Sequence, residues 1–144
     1  RVSESVRGLT VGANLTLVLS EVELTEEQRA RATNATRPLS GQSPWVVNAS
    51  VGYAPPDSPF SAFVFYNVYG PSVFEVGTNG LPDSYQQPFH SLDVSGRWAV
   101  SDHLELKLVI KNLLNDNFLV QQGTFNLRDY RPGVSGSLGL SLTL

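Results

Sequence analysis

The side chains that most often carry out chemistry are sparse in this sequence and do not cluster. His90 and His103 are a strand's length apart and have no third metal ligand nearby, so no metal centre is predicted. No Gly-x-Ser-x-Gly elbow occurs with a matching acid and base. Five aspartates lie singly in turn-like stretches: Asp57, Asp83, Asp102, Asp116 and Asp129. We therefore predict no catalytic residue, cofactor-binding residue or metal ligand, and an enzyme is the least supported class of function.

Charged side chains that could contact one another lie on two neighbouring segments. Asp93 and Arg97 share one side of the first segment, and Glu105, Lys107 and Lys111 share the same side of the next. A tight turn between the segments would place Arg97 roughly opposite Glu105, and Asp93 near Lys107 or Lys111. Such pairs contribute ~0.2–1 kcal/mol each and fix the register of two strands. A structural ladder accounts for this pattern better than contacts to a ligand or to another part of the protein.

Apolar and polar residues alternate along six segments, and this pattern predicts six β-strands. Successive side chains of a strand point to opposite faces, so each strand has one apolar and one polar face. In the last segment, for example, Leu138, Leu140 and Leu142 alternate with small polar residues. The strands are predicted at approximately residues 6–20, 45–54, 60–70, 89–100, 104–114 and 134–144.

The connections between these segments alternate between long and short. Three are long, at residues 21–44, 70–88 and 115–133, whereas residues 55–59 and 101–103 have the composition of tight turns. This alternation predicts an antiparallel up-and-down meander with three long loops at one end and two turns at the other.

Composition excludes several classes of protein. Charged residues make up 16% of the 144 residues, against roughly 25% in soluble globular domains. A net charge of −3 without a basic run argues against a nucleic-acid partner. The absence of cysteine excludes a disulfide scaffold, and no apolar run approaches the ~20 residues of a membrane-spanning helix. Because the chain has no Met and starts at Arg1, we expect it to be a piece of a longer protein.

Alternation alone does not say which face meets water, so a soluble β-sandwich and a membrane β-barrel are both open. Three features favour the barrel. The segments approach the ~9–11 residues that a tilted strand needs to cross a bilayer, and the connections match the short turns and long loops of outer-membrane barrels. Aromatic residues also lie near the strand ends, as in the aromatic belts of such barrels: they are Trp45, Tyr53, Phe60, Phe89 and Trp98.

Four stretches of the sequence contain short motifs. They are the stretch 37–48, the stretch from Leu81-Pro82-Asp83 to His90-Ser91-Leu92-Asp93, Leu104-Glu105-Leu106-Lys107-Leu108 running into Asn112-Leu113-Leu114-Asn115, and Tyr130-Arg131-Pro132-Gly133 before the last strand. These motifs resemble the C-terminal half of the barrel of TonB-dependent outer-membrane receptors, and the resemblance runs from about Arg37 to the end of the chain. Two departures are the final Leu144, where the family usually has an aromatic residue, and Val134, where it often has a basic one.

This resemblance implies that the six strands form the C-terminal part of a transmembrane β-barrel in the bacterial outer membrane. Loops 21–44, 70–88 and 115–133 would be extracellular, and turns 55–59 and 101–103 periplasmic. The expected partners are lipid, the upstream part of the same barrel with its plug, and an inner-membrane TonB-type energy transducer that engages the missing N-terminal part. The polar ladder expected to face the lumen consists of Asn48, Asp93, Arg97, Glu105, Lys107 and Lys111.

Six strands do not close a barrel of this kind, for which eight is the smallest number in a single chain. The family has ~22 strands around a plugged lumen, so about sixteen strands and the plug would lie upstream. The predicted function is TonB-dependent uptake of a solute, or an energised scaffold in the outer membrane. Two alternatives are a soluble all-β binding domain and an oligomeric barrel with six strands from each protomer.

Overall fold

A computed structural model describes residues 7–30 and 32–143, with residue 28 described without its side chain. No helix in these ranges is long and apolar enough to cross a membrane. The elements in chain order are β1 (Leu9–Leu17), β2 (Val22–Glu23), α1 (Glu26–Arg29), β3 (Thr36–Arg37), β4 (Trp45–Tyr53), β5 (Phe60–Tyr69), β6 (Ser72–Glu75), β7 (Ser84–Gln86), β8 (Phe89–Ser101), β9 (Leu104–Lys111), β10 (Phe118–Gln122), β11 (Phe125–Tyr130) and β12 (Ser135–Leu142).

The six long strands form one antiparallel sheet in the order β1-β4-β5-β8-β9-β12. Leu17 lies opposite Trp45, and Tyr69 lies opposite Phe89. The long connections therefore leave the sheet at one end, and the two tight turns close the other. The predicted all-β, up-and-down meander of six strands is confirmed.

One face of this sheet is apolar, and no second layer covers it in the described part of the chain. At one edge, Leu15 and Leu17 of β1 are 61% and 72% exposed. At the other edge, Leu138 and Leu140 of β12 are 70% and 71% exposed. A soluble β-sandwich would bury such a face against a second sheet. In this sheet the apolar face is exposed instead.

The long connections differ from the plain loops that the sequence predicts. β6 and β7 pair within the second connection, and β10 and β11 pair within the third. β7 also pairs with β10, which gives a second sheet in the order β11-β10-β7-β6. The sequence does not reveal these strands because they have only three to six residues, too few for alternation to stand out.

The most completely buried side chains lie in and around this second sheet. Val73 and Val120 are fully buried, and Asp83 is 2% exposed. The guanidinium of Arg128 lies 4.8 Å from the centre of the Phe74 ring, a cation–π contact that joins the two edge strands, β11 and β6. Three of the four buried hydrophobic side chains in the described chain, Leu24, Val73 and Val120, thus lie outside the six-stranded sheet, and the fourth, Val68, lies near the end of β5.

Buried Asp83 attaches the first long connection to the second. Its Oδ1 accepts a hydrogen bond from the backbone N–H of Gly77 at 2.7 Å, and its Oδ2 accepts one from Asn34 Nδ2 at 2.9 Å. The hydroxyl of Thr33 donates to the carbonyl of Leu81 nearby. Because a buried carboxylate is costly without partners, these bonds make Asp83 a structural residue.

Two of the motifs quoted above meet at the end of β9. The strand ends at Lys111, three residues before the predicted end, because Asn112 and Asn115 both have positive φ, at 55° and 47°. Asn112 Nδ2 donates to the carbonyl of Gly133 at 2.8 Å, and the Gly133 N–H donates to Asn115 Oδ1 at 3.0 Å. The Asn-Leu-Leu-Asn and Pro-Gly motifs therefore tie the start of the third connection to its end.

The other long strands begin and end within a few residues of the predicted positions, a difference usual for strand boundaries. Val6 and Leu144, at which two of the predicted strands begin and end, lie outside the described residues.

Replacing Asp83 with alanine should loosen the contact between the first two connections. The change leaves the Gly77 N–H without its acceptor, at a cost of roughly 1–3 kcal/mol. We expect amide hydrogen exchange in residues 32–34 and 76–84 to speed up about tenfold or more. Asp57→Ala, in an exposed turn, is the matched control, and equal exchange rates in the two variants would contradict the role of Asp83.

Candidate functional site

The polar face of the six-stranded sheet holds the residues that the sequence singles out. No group of three or more histidine, aspartate or glutamate side chains is placed to hold a metal ion within residues 7–30 and 32–143. The chemistry of the site is therefore that of amides, hydroxyls, single charges and aromatic rings along this face.

Asn48 stands at the centre of a row of asparagines that crosses three strands. Asn14, Asn48 and Asn67 are direct neighbours in the register of β1, β4 and β5. Asn67 Nδ2 donates to Asn48 Oδ1 at 2.6 Å, and Asn48 Nδ2 donates to Asn14 Oδ1 at 2.7 Å. We call these three residues the amide ladder. It fixes the register of the three strands, because a shift of one residue would move every amide to the other face.

Arg97 and Glu105 form an ion pair, but not as direct neighbours. Arg97 Nε lies 3.4 Å from Glu105 Oε1, although the register places Arg97 opposite Lys107 and Ala99 opposite Glu105. The sequence places Arg97 roughly opposite Glu105, and the two side chains do pair, but their contact is diagonal. An irregularity in the ladder between Ala99 and Ser101 shifts the register relative to that of a simple tight turn.

Asp93 binds backbone and a hydroxyl where the sequence suggested a lysine. Its Oδ1 accepts from the Asn112 N–H at 2.9 Å and from Ser91 Oγ at 3.1 Å. In the described part of the chain, neither Lys107 nor Lys111 lies within 4 Å of a carboxylate oxygen. Asp93 therefore helps to end β9, and the expected ion pair with a lysine does not form.

Two phenylalanines interrupt the polar face. Phe63 and Phe65 stack with ring centres 6.2 Å apart, and Phe65 is 48% exposed. Phe63 extends over Gly52 on the neighbouring strand, where an added Cβ would lie 2.5 Å from its ring. Gly52 thus makes room for Phe63, which explains a glycine at the next-to-last position of β4.

An aromatic cluster connects the polar face to the second sheet. The ring of Phe89 lies 6.1 Å from that of Tyr69 and 6.4 Å from that of Phe118, and Phe118 lies 5.1 Å from Tyr130. Gln86 Nε2 donates to the Tyr69 hydroxyl at 2.6 Å. The cluster joins two long strands to three short ones, so the second sheet is held in place over this end of the polar face.

The apolar face carries aromatic residues at both ends of its strands. Trp45 lies at the end that carries the long connections. Nearer this end than the other, the Tyr66 hydroxyl and His90 Nδ1 share a hydrogen bond of 2.6 Å. Tyr53 lies at the other end, near Phe60 and Trp98, which are direct neighbours. Four of the five predicted belt residues are therefore on this face. Phe89 is on the other face, in the aromatic cluster.

Sequence reasoning missed several residues of the site. Asn14 and Asn67 are in polar positions of their strands, and their alignment with Asn48 depends on registers set by the long connection and the turn. Phe118 and Tyr130 lie in a connection predicted to be a loop, so nothing in the sequence places them against Phe89. For the amide ladder, the one available signal in the sequence was that the same polar residue type, asparagine, occurs on neighbouring predicted strands.

A comparison with protein families identifies one that matches. The model of the family described as TonB dependent receptor-like, beta-barrel, matches residues 4–113, more than half of the chain. No curated protein and no solved structure gives a significant match.

Replacing Asn48 with alanine should weaken the junction of β1, β4 and β5. It removes two side-chain hydrogen bonds, each of which contributes about 0.5–1.5 kcal/mol. We expect the free energy of unfolding in detergent to fall by roughly 1–3 kcal/mol, measured by urea titration. Ser50→Ala, on the same face of the same strand, is the matched control, and an equal effect of both substitutions would contradict a role for the ladder.

Proposed function

Because the chain belongs to the family of TonB-dependent receptor β-barrels, we propose that it forms six C-terminal strands of a barrel that takes up a solute with energy from TonB. It is an outer-membrane receptor or transporter barrel segment, and receptors of this family are transporters and not enzymes. A single observation supports the proposal most strongly: an extended apolar sheet face stays uncovered while the opposite face carries amides, hydroxyls and charges.

We assign the apolar face to lipid and the polar face to the lumen. The exposed leucines and valines of the apolar face suit acyl chains, and each buried CH₂ contributes about 0.8 kcal/mol. Trp45 and Tyr53 are eight residues apart on β4, or about 27 Å of strand. At the ~35–45° tilt of outer-membrane strands this length spans roughly 19–22 Å of the membrane, most of the ~25 Å apolar band of such barrels. With this assignment the predicted polar ladder, including Asn48 and Arg97, faces the lumen.

The open edges of the sheet require further strands. Among the described residues, β1 and β12 each pair with one neighbour only, and unpaired backbone groups in lipid cost several kcal/mol each. Strands from the upstream part of the same receptor would pair with both edges and close the barrel. The alternative of a ring of identical six-strand protomers predicts a self-associated complex, which the mass of the purified protein would reveal.

We place the long connections and the second sheet outside the cell, and the turns at residues 55–59 and 101–103 in the periplasm. The asymmetry between the two ends supports this orientation, since barrels of this kind have short periplasmic turns and long external loops. The second sheet and the aromatic cluster would then stand at the external mouth of the lumen, where an arriving solute meets the receptor.

Cysteine labelling of the whole receptor tests the orientation. Thr124→Cys lies between the paired strands β10 and β11, and we expect it to react with a membrane-impermeant maleimide on intact cells. Asp57→Cys lies in a turn at the opposite end of the sheet and should react only after the outer membrane is permeabilised. Reaction of Asp57→Cys on intact cells would reverse the orientation.

The same reagent tests the assignment of the two faces. Leu140→Cys and Ser141→Cys are adjacent on β12 and point to opposite faces. In the folded receptor, a water-soluble maleimide should not label Leu140→Cys, although it labels the same variant after unfolding in urea. Fast labelling of Leu140→Cys in the folded receptor would show that the apolar face meets water and would support a soluble domain.

A further inference from the structure

A depression of about 310 Å³ on the polar face lies beside the amide ladder. It is formed by two parallel rows of residues. The first row is the ladder itself, and the second consists of Gly12, Ser50 and Phe65, which are direct neighbours in the register of the same three strands. The rows are two residues apart along each strand, or about 7 Å. A ligand the size of one sugar ring is wide enough to contact both rows.

The second row forms a low floor with an aromatic ring beside it. A Cβ at Gly12 would lie 3.0 Å from Ser50 Oγ, so glycine at this position keeps the floor low next to the hydroxyl. The ring of Phe65 is 48% exposed, and the face of such a ring carries partial negative charge. The C–H groups of a sugar ring are polarised by the adjoining oxygens and pack well on this kind of surface.

The amide ladder keeps hydrogen-bonding capacity for a ligand. Each side-chain amide has two N–H donors and two oxygen lone pairs. The ladder uses one donor of Asn67 and one of Asn48, so donors and acceptors are left over along the whole row. A hydroxyl group also both donates and accepts, whereas a carboxylate only accepts and an ammonium group only donates. Hydroxyl groups therefore match this row best.

Charge points to the same class of ligand. None of the described residues that line the depression carries a charge. Asp93 lies beyond Phe65 in the register, but its Oδ1 is bound by the Asn112 N–H and by Ser91 Oγ. The depression thus offers amides, a hydroxyl and a ring face, which suit an uncharged ligand rich in hydroxyl groups.

We propose that this depression binds one sugar unit of an uncharged glycan, and that the solute of the receptor is a neutral carbohydrate. The sugar ring would pack on Phe65, and its hydroxyls would exchange hydrogen bonds with the amide ladder. This inference rests on the proposed function, because the polar face lines a lumen only in a closed barrel. The ladder lies in the half of the sheet nearer the long connections, which the proposed orientation turns toward an arriving solute.

Titration calorimetry of the full receptor tests the class of ligand. The probes are maltoheptaose, cellohexaose, xylohexaose and mannohexaose, in lauryldimethylamine oxide, because a detergent with a sugar head group would compete. We expect at least one probe to bind, with an affinity that changes by less than about twofold between roughly 50 and 500 mM NaCl, since salt screens only charges. Binding of none of the four, or binding that added salt weakens strongly, would overturn the proposal.

Substitutions in the two rows test the position of the sugar. Phe65→Leu keeps apolar volume but removes the aromatic face, and we expect it to weaken binding of the same oligosaccharide about tenfold. Asn67→Ala leaves the ring in place and should weaken binding about fivefold through the lost amide. Phe60→Leu makes the matched change on the opposite face of the same strand and should leave the affinity within about twofold of the unchanged receptor.

The two rows are tested separately, so a folding defect in one variant leaves the other informative. Affinities of Phe65→Leu and Asn67→Ala equal to that of Phe60→Leu would show that the sugar binds elsewhere in the receptor and would overturn this site. The maleimide experiment at residues 140 and 141 needs no sugar, so this inference can fail while the proposed function stands.

Discussion

The structure depends on one constraint, the need of every backbone N–H and C=O group in a bilayer for a partner within the protein. An antiparallel sheet satisfies this need along each pair of strands but leaves it unmet at β1 and β12. The exposed leucines that flank these edges, such as Leu17 and Leu140, would favour aggregation in water. In a closed barrel they lie in lipid, and the edges disappear. The family, the uncovered face and the open edges thus have one physical explanation.

The six long strands could be predicted from the sequence because each has eight or more residues with alternating polarity. The ends of these strands were predicted less well. At Asn112, for example, a change in backbone conformation ends β9 without changing the hydrophobic pattern. The short strands β6, β7, β10 and β11 could not be predicted, because their pairing partners are distant in sequence and their composition resembles that of loops.

The predicted site shows the same division between local and long-range information. The face on which Arg97 and Glu105 lie follows from counting residues, and their ion pair was expected. Their diagonal geometry was not, since an irregular ladder near Ser101 changes which residue is opposite which. To predict the amide ladder, one must know the registers of three strands, and to predict the aromatic cluster, one must know the fold of a connection. Both kinds of information come only from the tertiary structure.

The pairing of β7 with β10 has a mechanical consequence. These short strands belong to different connections, and β8 and β9 lie between them along the chain. The two connections and the two long strands therefore form a ring closed by backbone hydrogen bonds. Sliding β8 against β5, or β9 against β12, would pull on this ring, and the contact of Asn112 with Gly133 would resist the second movement. The second sheet, whose connections lead from β5 to β8 and from β9 to β12, thus holds these four adjacent strands in alignment.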